Sequence, residues 1–522
     1  MVRAFPRWVR EYLRGCVAID TRTLAVFRIA VATLIVADLF SRARNFSFYY
    51  TDDGVVPQSV AESYTASEAV SVYFFTSDPT LIAGLFVLQG VIALQLLVGY
   101  KTRLATVLSF LLVVSLDHHN PLVLSYADTL FRLLLFWSIF LPLGERWSID
   151  AVHATRAPRP QIASVASALI LSQMVYMYVV NGHHKTKNQL WTSGEAAPLV
   201  FGIDEMTFLL GDAMREFLWL IELGGLLWFY ILVGAWLLIF FQGRVRYLFA
   251  TLFFGGHLAF ALTVRIGAFA FVGMAGVFLF YQRQFWRDGR WVSSAVGVNV
   301  SNIWRELSRL ERVADRVPRL QFGGERMRTL RTHSYTVVMV ILVLSMGLVG
   351  GTNGLQYAGM VDEEEQYDDQ IRTVATALSI DQPSWSVFAP NPRTTDRYYV
   401  FPARTADGQL VDAFNEREFT YDRPHDELQR QHDTYRQRFY MNSIRRASDD
   451  AVIVQEFTRH LCERWQEEHD TELTHLNMRY VNEDITRESV DDPTVRDRSV
   501  FRISLQTCDD GAEPTVLAWP PS

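Results

Sequence analysis

The sequence predicts a multi-pass α-helical membrane protein of about nine transmembrane helices, with a C-terminal extracytoplasmic α+β domain. Three observations carry that prediction. Half of the 522 residues are hydrophobic and 13% are aromatic, which is high for a chain with 20% charged residues. Apolar windows long enough to cross a bilayer, about 17–25 residues, recur through the first 351 positions. Charge divides at the same point. From Thr352 onward there are 33 acidic and 18 basic residues, a net of −15, against 23 and 31 before it, a net of +8; together they make the −7 of the whole chain.

Residues 1–22 read as a cytoplasmic N-terminal segment. FPRWVREYLRG is basic and aromatic, and no small-residue cleavage site follows it, so no signal peptide is apparent. Apolar spans are expected near 23–41, 80–98, 103–117, 126–142, 162–181, 217–241, 246–264, 267–282 and 334–351, the third and eighth being short. Arginine and lysine favour cytoplasmic loops, and the loops alternate accordingly. Arg3, Arg7, Arg10 and Arg14 precede the first span, and an acidic loop follows it (Asp52, Asp53, Glu62, Glu68, Asp78). Next come Lys101 and Arg103, then DHHNP without Lys or Arg, then Arg146, Arg156 and Arg159. The mixed loop 182–216, Arg244 with Arg246, and a short turn at Arg265 complete the series. Nine spans put the N-terminus inside and the C-terminal domain outside.

Residues 289–333 form a basic amphipathic segment, with VNVSNIWRELSRLERVADRVPRL placing apolar residues at helical spacing between arginines. It is expected on the inner membrane surface against anionic lipid. The last span, 334–351, leads through the acidic linker VDEEEQYDD into a domain at 352–522. There, RYYVFPA, YVNEDIT and SVFRISLQT read as strands and AVIVQEFTRHLCERWQEE as a helix. Cys462 and Cys508 either pair, if this domain faces an oxidising compartment, or stay as buried thiols. Arginine in place of lysine, with an acidic soluble part, points to a GC-rich and salt-loving source.

Candidate chemistry comes from ionisable residues in or beside the spans, where they are expensive and tend to face the bundle interior. Asp128 and Arg132 are four apart on one helix face and read either as site residues or as a buried ion pair. His257 lies past the middle of an outward-running span, with Arg265 at its exit. DHHNP (117–121) and GHHKTK (182–187) are expected in outside loops. His118, His119, His183, His184, Lys185, Asp128, Arg132 and His257 are therefore expected to converge in the outer leaflet, while Arg28 and Asp38 need not join them. The HH pairs match neither a zinc-protease pattern nor spaced di-iron histidine boxes, so no metal is assigned. No glycine-rich phosphate loop, nucleophile elbow, nucleic-acid motif or inverted repeat is present.

Lysine usage sharpens the site. Lysine occurs only at 101, 185 and 187 among 49 basic residues. Arginine is essentially never deprotonated, whereas a lysine in a partly apolar pocket can lose its proton near neutral pH and serve as a general base. A chain that has otherwise replaced lysine would keep it for that role.

Four segments in order carry a family resemblance: DTRTLAVFRIAVATLIVADLFSRA with YYTDDGVVP, HHNPLVLSYADTLFRLLLFWSIFLPLGERWSID, YVVNGHHKTKNQLWTSGEA and GHLAFALTVRIGAFAFVGMAGVFLFYQRQFW. The region 23–288 resembles the HTTM (horizontally transferred transmembrane) module of vitamin K-dependent gamma-carboxylases and their microbial relatives. The resemblance implies that Lys185, ahead of Trp191 and Gly194, is the base that deprotonates a lipid quinol, either vitamin K hydroquinone or, in a prokaryote, menaquinol. Quinol oxidation by oxygen to an epoxide then supplies a strong base for a glutamyl γ-proton, and the carbanion takes up carbon dioxide. It implies an assisting histidine at His118 or His119. The reading of the residues adds His184 as a catalytic candidate and Asp128, Arg132, Trp191, His257 and Arg265 as substrate-binding candidates. The interval from Lys185 to Trp191 is one residue longer than in animal carboxylases. WSVFAPNPRTTDRYYVFPA and LCERW resemble the tails of microbial relatives, not the substrate-binding region of animal carboxylases. The expected partners are membrane lipid and a secreted peptide or protein substrate, without nucleic acid. Another relative helps to mature a sporulation-delaying peptide toxin, which gives the alternative: a non-catalytic accessory protein for maturation or export of a secreted peptide.

Overall fold

The computed structural model describes residues 6–295, 314–319, 335–340, 343, 380–509 and 511–518. Four helices are long and apolar enough to cross a membrane: α1 (Thr21–Ala43), α2 (Pro79–Val98), α5 (Val165–Thr186) and α7 (Gly243–Thr263). Between them lie α3 (Thr102–His119), α4 (Tyr126–Ser138) and α6 (Leu218–Val233), and α8 (Phe269–Phe278) and α9 (Arg283–Ala295) follow. The expected last span and the acidic linker fall largely or wholly outside the described residues.

Local sequence sets the ends of these helices. Asp78 caps α2 by accepting from the backbone of Thr80 and Leu81, with Pro79 in the first turn, where its missing N–H is harmless. The same helix ends at Gly99 in the left-handed region (φ +68), where a Cβ would stand 2.8 Å from the guanidinium of Arg28. Arg28 is fully buried and donates to the carbonyls of Leu97, Leu143, Arg146 and Trp147, so it ties helix and loop ends together. Ser125 and Asp128 close α4 with a reciprocal capping box.

The short helices lie inside the bundle. α4 packs on α3, α5 and α8, and α8 also packs on α1 and α7. Protein rather than lipid surrounds α4, where Leu130, Leu134 and Leu135 are fully buried. Two stretches expected as aqueous loops are helical: Asp117, His118 and His119 end α3, and residues 181–186 end α5. The Asp117 carboxylate is met by arginines within the protein and the polar groups of Asn181 and His184 by the tail, so the helices continue instead of stopping at water. α9 has no buried residue, and most of the amphipathic segment expected at 289–333 lies outside the described residues.

The C-terminal domain is an antiparallel sheet centred on β7 (Leu473–Asp484). Numbering β1 and β2 as the small pair Ala18–Asp20 and Gln161–Ala163, β3 (Thr395–Val400) and β4 (Pro402–Thr405) run along one edge of β7. β8 (Arg498–Thr507) pairs with the other edge, and β5 (Leu410–Asp412) and β6 (Arg417–Glu418) extend the sheet beyond β4. Helices α10 (Tyr435–Arg446) and α11 (Val452–Glu468) complete the domain, and the Cys462–Cys508 disulfide joins α11 to the end of β8. The expected strands and helix of the tail are all present. One apolar core runs through both parts, from Phe27, Leu134 and Met174 in the bundle to Tyr440, Phe457 and Leu476 in the tail.

Candidate functional site

Lys185 lies one turn past Asn181 on α5, and only 3% of it is exposed. Its Nζ stands 3.0 Å from the ring centroid of Trp191. Among the described residues no hydrogen bond and no carboxylate reaches that Nζ. Trp191 is positioned by the short helix Gln189–Ser193, which the Asn188 side chain caps by accepting from Leu190 N at 2.9 Å. The turn ends at Gly194 (φ +93), where a Cβ would press on Leu226. Around Trp191 gather Val200, Ile203, Phe229, Val264 and Ile485, with Phe388 of the tail packed against them. An amine beside an indole in an apolar surround could hold an aromatic ring with a polar edge and an apolar chain. The buried Nε1 of Trp191 has no partner among the described residues and is a donor suited to such a ring. Lys187, by contrast, is an exposed helix-end residue.

His184 is bonded through Nε2 to the carbonyl of Ser384 at 2.9 Å, and its ring lies 6.2 Å from that of His183. His118 bonds the carbonyl of Val70 through Nδ1 at 3.2 Å and lies within electrostatic reach of Asp381. His119 sits in an aromatic nest of Tyr50, Tyr73 and Phe74, with centroids 5.9, 5.6 and 5.5 Å away, and its buried Nδ1 has no partner among the described residues. His257 is fully buried and shares a 2.6 Å hydrogen bond with the hydroxyl of Tyr178, against Trp228 and Phe269. Lys185 and His184 share one end of α5. His257 belongs to a separate Tyr178–Trp228 group, and His119 to the aromatic nest.

Asp128 and Arg132 are buried as expected but do not pair with each other. Arg132 binds Asp117 at 2.6 Å, while Asp128 accepts from Arg436 of the tail at 2.8 Å and from Ser125. Arg42 joins Asp117 at 2.5 Å and Asp38 at 2.7 Å, and Arg436 also binds Asp38. Among the described residues, three carboxylates and three guanidiniums therefore form one network linking α1, α3, α4 and α10. Full mutual pairing is what makes so many buried charges tolerable. Asp38, set apart from the site by its position along the first span, belongs to this network. The sequence held one local hint, the i, i+4 pair Asp38 and Arg42; nothing distinguished Arg436 among the arginines of the tail.

Arg265 is likewise held by the tail, donating to the carbonyls of Gln429 at 2.7 Å and His432 at 3.3 Å. Beside it, Glu205 is bound by Arg393 and Arg438. Burial alone would raise the Glu205 carboxyl, but the two arginines outweigh it and hold the group below the usual carboxylate range. His432 is pushed down to about 4, chiefly by burial, against the smaller opposing pull of Glu205. Glu222, near the N-terminal end of α6, pairs with Arg487 of the tail at 2.8 Å.

No match was found among curated proteins or among solved structures. A family model described as the HTTM domain matches residues 17–286, a range that takes in Lys185, Trp191, both histidine pairs and His257 and stops short of the tail. Because the match covers more than half of the 522 residues and takes in α1 to α8, the chain belongs to the HTTM domain family.

Proposed function

We propose that this protein is a multi-pass cell-membrane enzyme that couples oxidation of a lipid quinol to carboxylation of a glutamyl substrate, with Lys185 as the base. HTTM domains occur in vitamin K-dependent carboxylase-like proteins, and the resemblance gives Lys185 the place of their basic lysine. The observation that carries the reading is the setting of Lys185: a buried amine against Trp191, with no carboxylate partner among the described residues. A structural lysine at such a depth would ordinarily be paired. Lys185 would take the proton of a quinol hydroxyl, Trp191 would lie against the ring, and His184 or His118 would orient the quinol oxygen. The quinol, when bound, supplies the electrons that molecular oxygen takes up, and that oxidation drives carboxylation.

Four long apolar helices and the alternating loop charges support nine spans with the tail outside. The disulfide Cys462–Cys508 supports the same side, because such bonds persist in oxidising compartments. The tail's bonds to His184 and Asn181 support a place for Lys185 towards the same side.

The test uses purified membranes supplied with menaquinol, labelled bicarbonate and a glutamyl peptide. Wild type is expected to form quinone epoxide and to fix label, and Lys185→Ala is expected to lose both by at least about 100-fold, the usual span of a general base. Unchanged turnover in Lys185→Ala removes the catalytic reading. The accessory role is the second reading, favoured by the extensive buried seat of the tail on the bundle. Under it, partner-peptide binding disappears with the tail and survives Lys185→Ala.

A further inference from the structure

One stripe of α5 carries Gln173, Asn181, His184 and Lys185 at helical spacing, Asn188 follows just past its end, and the tail runs along them. Gln382 bonds Gln173 through both amides, at 2.6 and 3.0 Å. The Asn181 amide donates to the carbonyls of Trp385 and Val387 at 2.8 and 3.0 Å. His184 bonds the carbonyl of Ser384, and Asn188 donates to Asn391 at 2.7 Å. Gln173 precedes Lys185 by twelve residues, roughly 18 Å along the helix, so this segment enters the bundle well below the lysine. Trp385 is fully buried between Tyr126, 5.8 Å away at the start of α4, and the Asn181 face of α5, and its indole N–H is bonded to Gln382.

Two features set the segment apart from ordinary packing. Trp385 (φ +48) and Phe388 (φ +51) both sit in the left-handed region, which bulky aromatic residues avoid. Its polar contacts with the bundle are amide, hydroxyl and imidazole hydrogen bonds, where the neighbouring contacts of the tail are buried ion pairs. The strained and uncharged part of the tail is thus the part bonded to Asn181, His184 and Asn188, on either side of Lys185 in the chain.

We propose that residues 382–391 are a built-in occupant of the Lys185 face, displaced when an amphipathic lipid with a hydrogen-bonding ring head enters. With the segment displaced, the Asn181 amide and the apolar surround of Trp191 and Phe388 would be open to the ring and chain, with a ring oxygen at the Lys185 amine. The identification of that lipid as a quinol rests on the function proposed above, whereas the covering of Lys185 does not.

The test uses the full chain in nanodiscs with Lys185→Cys as reporter and Cys16→Ser removing the one free thiol among the described residues. A membrane-impermeant maleimide is expected to label position 185 at least tenfold faster when Trp385→Ala is added. Asn181→Ala, which loosens the segment without touching Trp385, is expected to act in the same direction, with retention of the Cys462–Cys508 disulfide reporting an intact tail. Equal rates in all three proteins overturn the covering. In the otherwise wild-type chain, saturating menaquinone-4 is expected to speed amide hydrogen exchange in residues 382–391 at least tenfold while β7 stays unchanged. Bound menaquinone-4 with exchange unchanged or slowed overturns the displacement. Failure of menaquinone-4 to bind even Trp385→Ala overturns the quinol as ligand and leaves the labelling result to decide the covering.

Discussion

Lys185 and His432 show how one buried setting can serve different ends. Lys185 has an indole for a neighbour and no counter-charge, the arrangement of a group kept for its chemistry. Lys185→Arg retains a cation at that place but cannot supply a base. Turnover is therefore expected to fall as far as in Lys185→Ala; retention of more than a tenth of the wild-type rate would make the role electrostatic. His432 is a structural sensor between Arg265 and Glu205. Its ring is held near 4 in the folded protein against 6.5 when unfolded, so it folds neutral. The unfolded chain takes up the extra proton as pH falls from 6.5 towards 4, and stability is lost over that window, by up to about 3 kcal/mol. Glu205 acts in a lower window: its depressed carboxyl stabilises the fold above the ordinary carboxylate range, and that support is lost as pH falls below it. Thermal unfolding of the tail at pH 7 and 4.5 checks the first window. His432→Gln is expected to remove most of the difference between the two pH values.

At the scale of elements, the docking of α10 on α1 and α4 depends on Arg436. Arg436→Ala leaves Asp38 and Asp128 facing each other in a buried site without their shared guanidinium. The expected penalty is about 3–5 kcal/mol, read as release of the tail in limited proteolysis with the bundle intact. The disulfide closes 46 residues between α11 and β8. Its loss in Cys462→Ser is expected to destabilise the tail by up to about 4 kcal/mol, measured by denaturant unfolding of the two proteins. The long helices were legible in the sequence because a lipid-facing helix must be apolar over some twenty residues. The tail strands were legible because apolar residues recur along them between turn residues. The ends of α3 and α5 were not. Asp117, His118 and His119, and likewise residues 181–186, look aqueous in one dimension, yet their polar groups are met by Arg42 and Arg132 in one case and by the tail in the other. The partner of Asp128 stands 308 residues away, and no local pattern announces such a pair.

Across the whole molecule, bundle and tail share one core and two buried charge clusters, so the tail works as part of the membrane unit. The lysine of the candidate site could be picked from the sequence because its chemistry is unlike arginine's. The tail segment over it could not, since WSVFAPN carries no charge and no periodicity that would tie it to α5. Location of the quinol site is the most direct test of the central claim that the Lys185 face of α5 receives a lipid quinol. Photo-crosslinking of the full chain in nanodiscs with an azido-menaquinone, mapped by mass spectrometry, reads that location. Adducts are expected on α5 between Gln173 and Asn188, on Trp191 or on Trp385, and to be competed by menaquinone-4. Adducts confined to the lipid-facing sides of α2 and α7, or uncompeted everywhere, would contradict the claim.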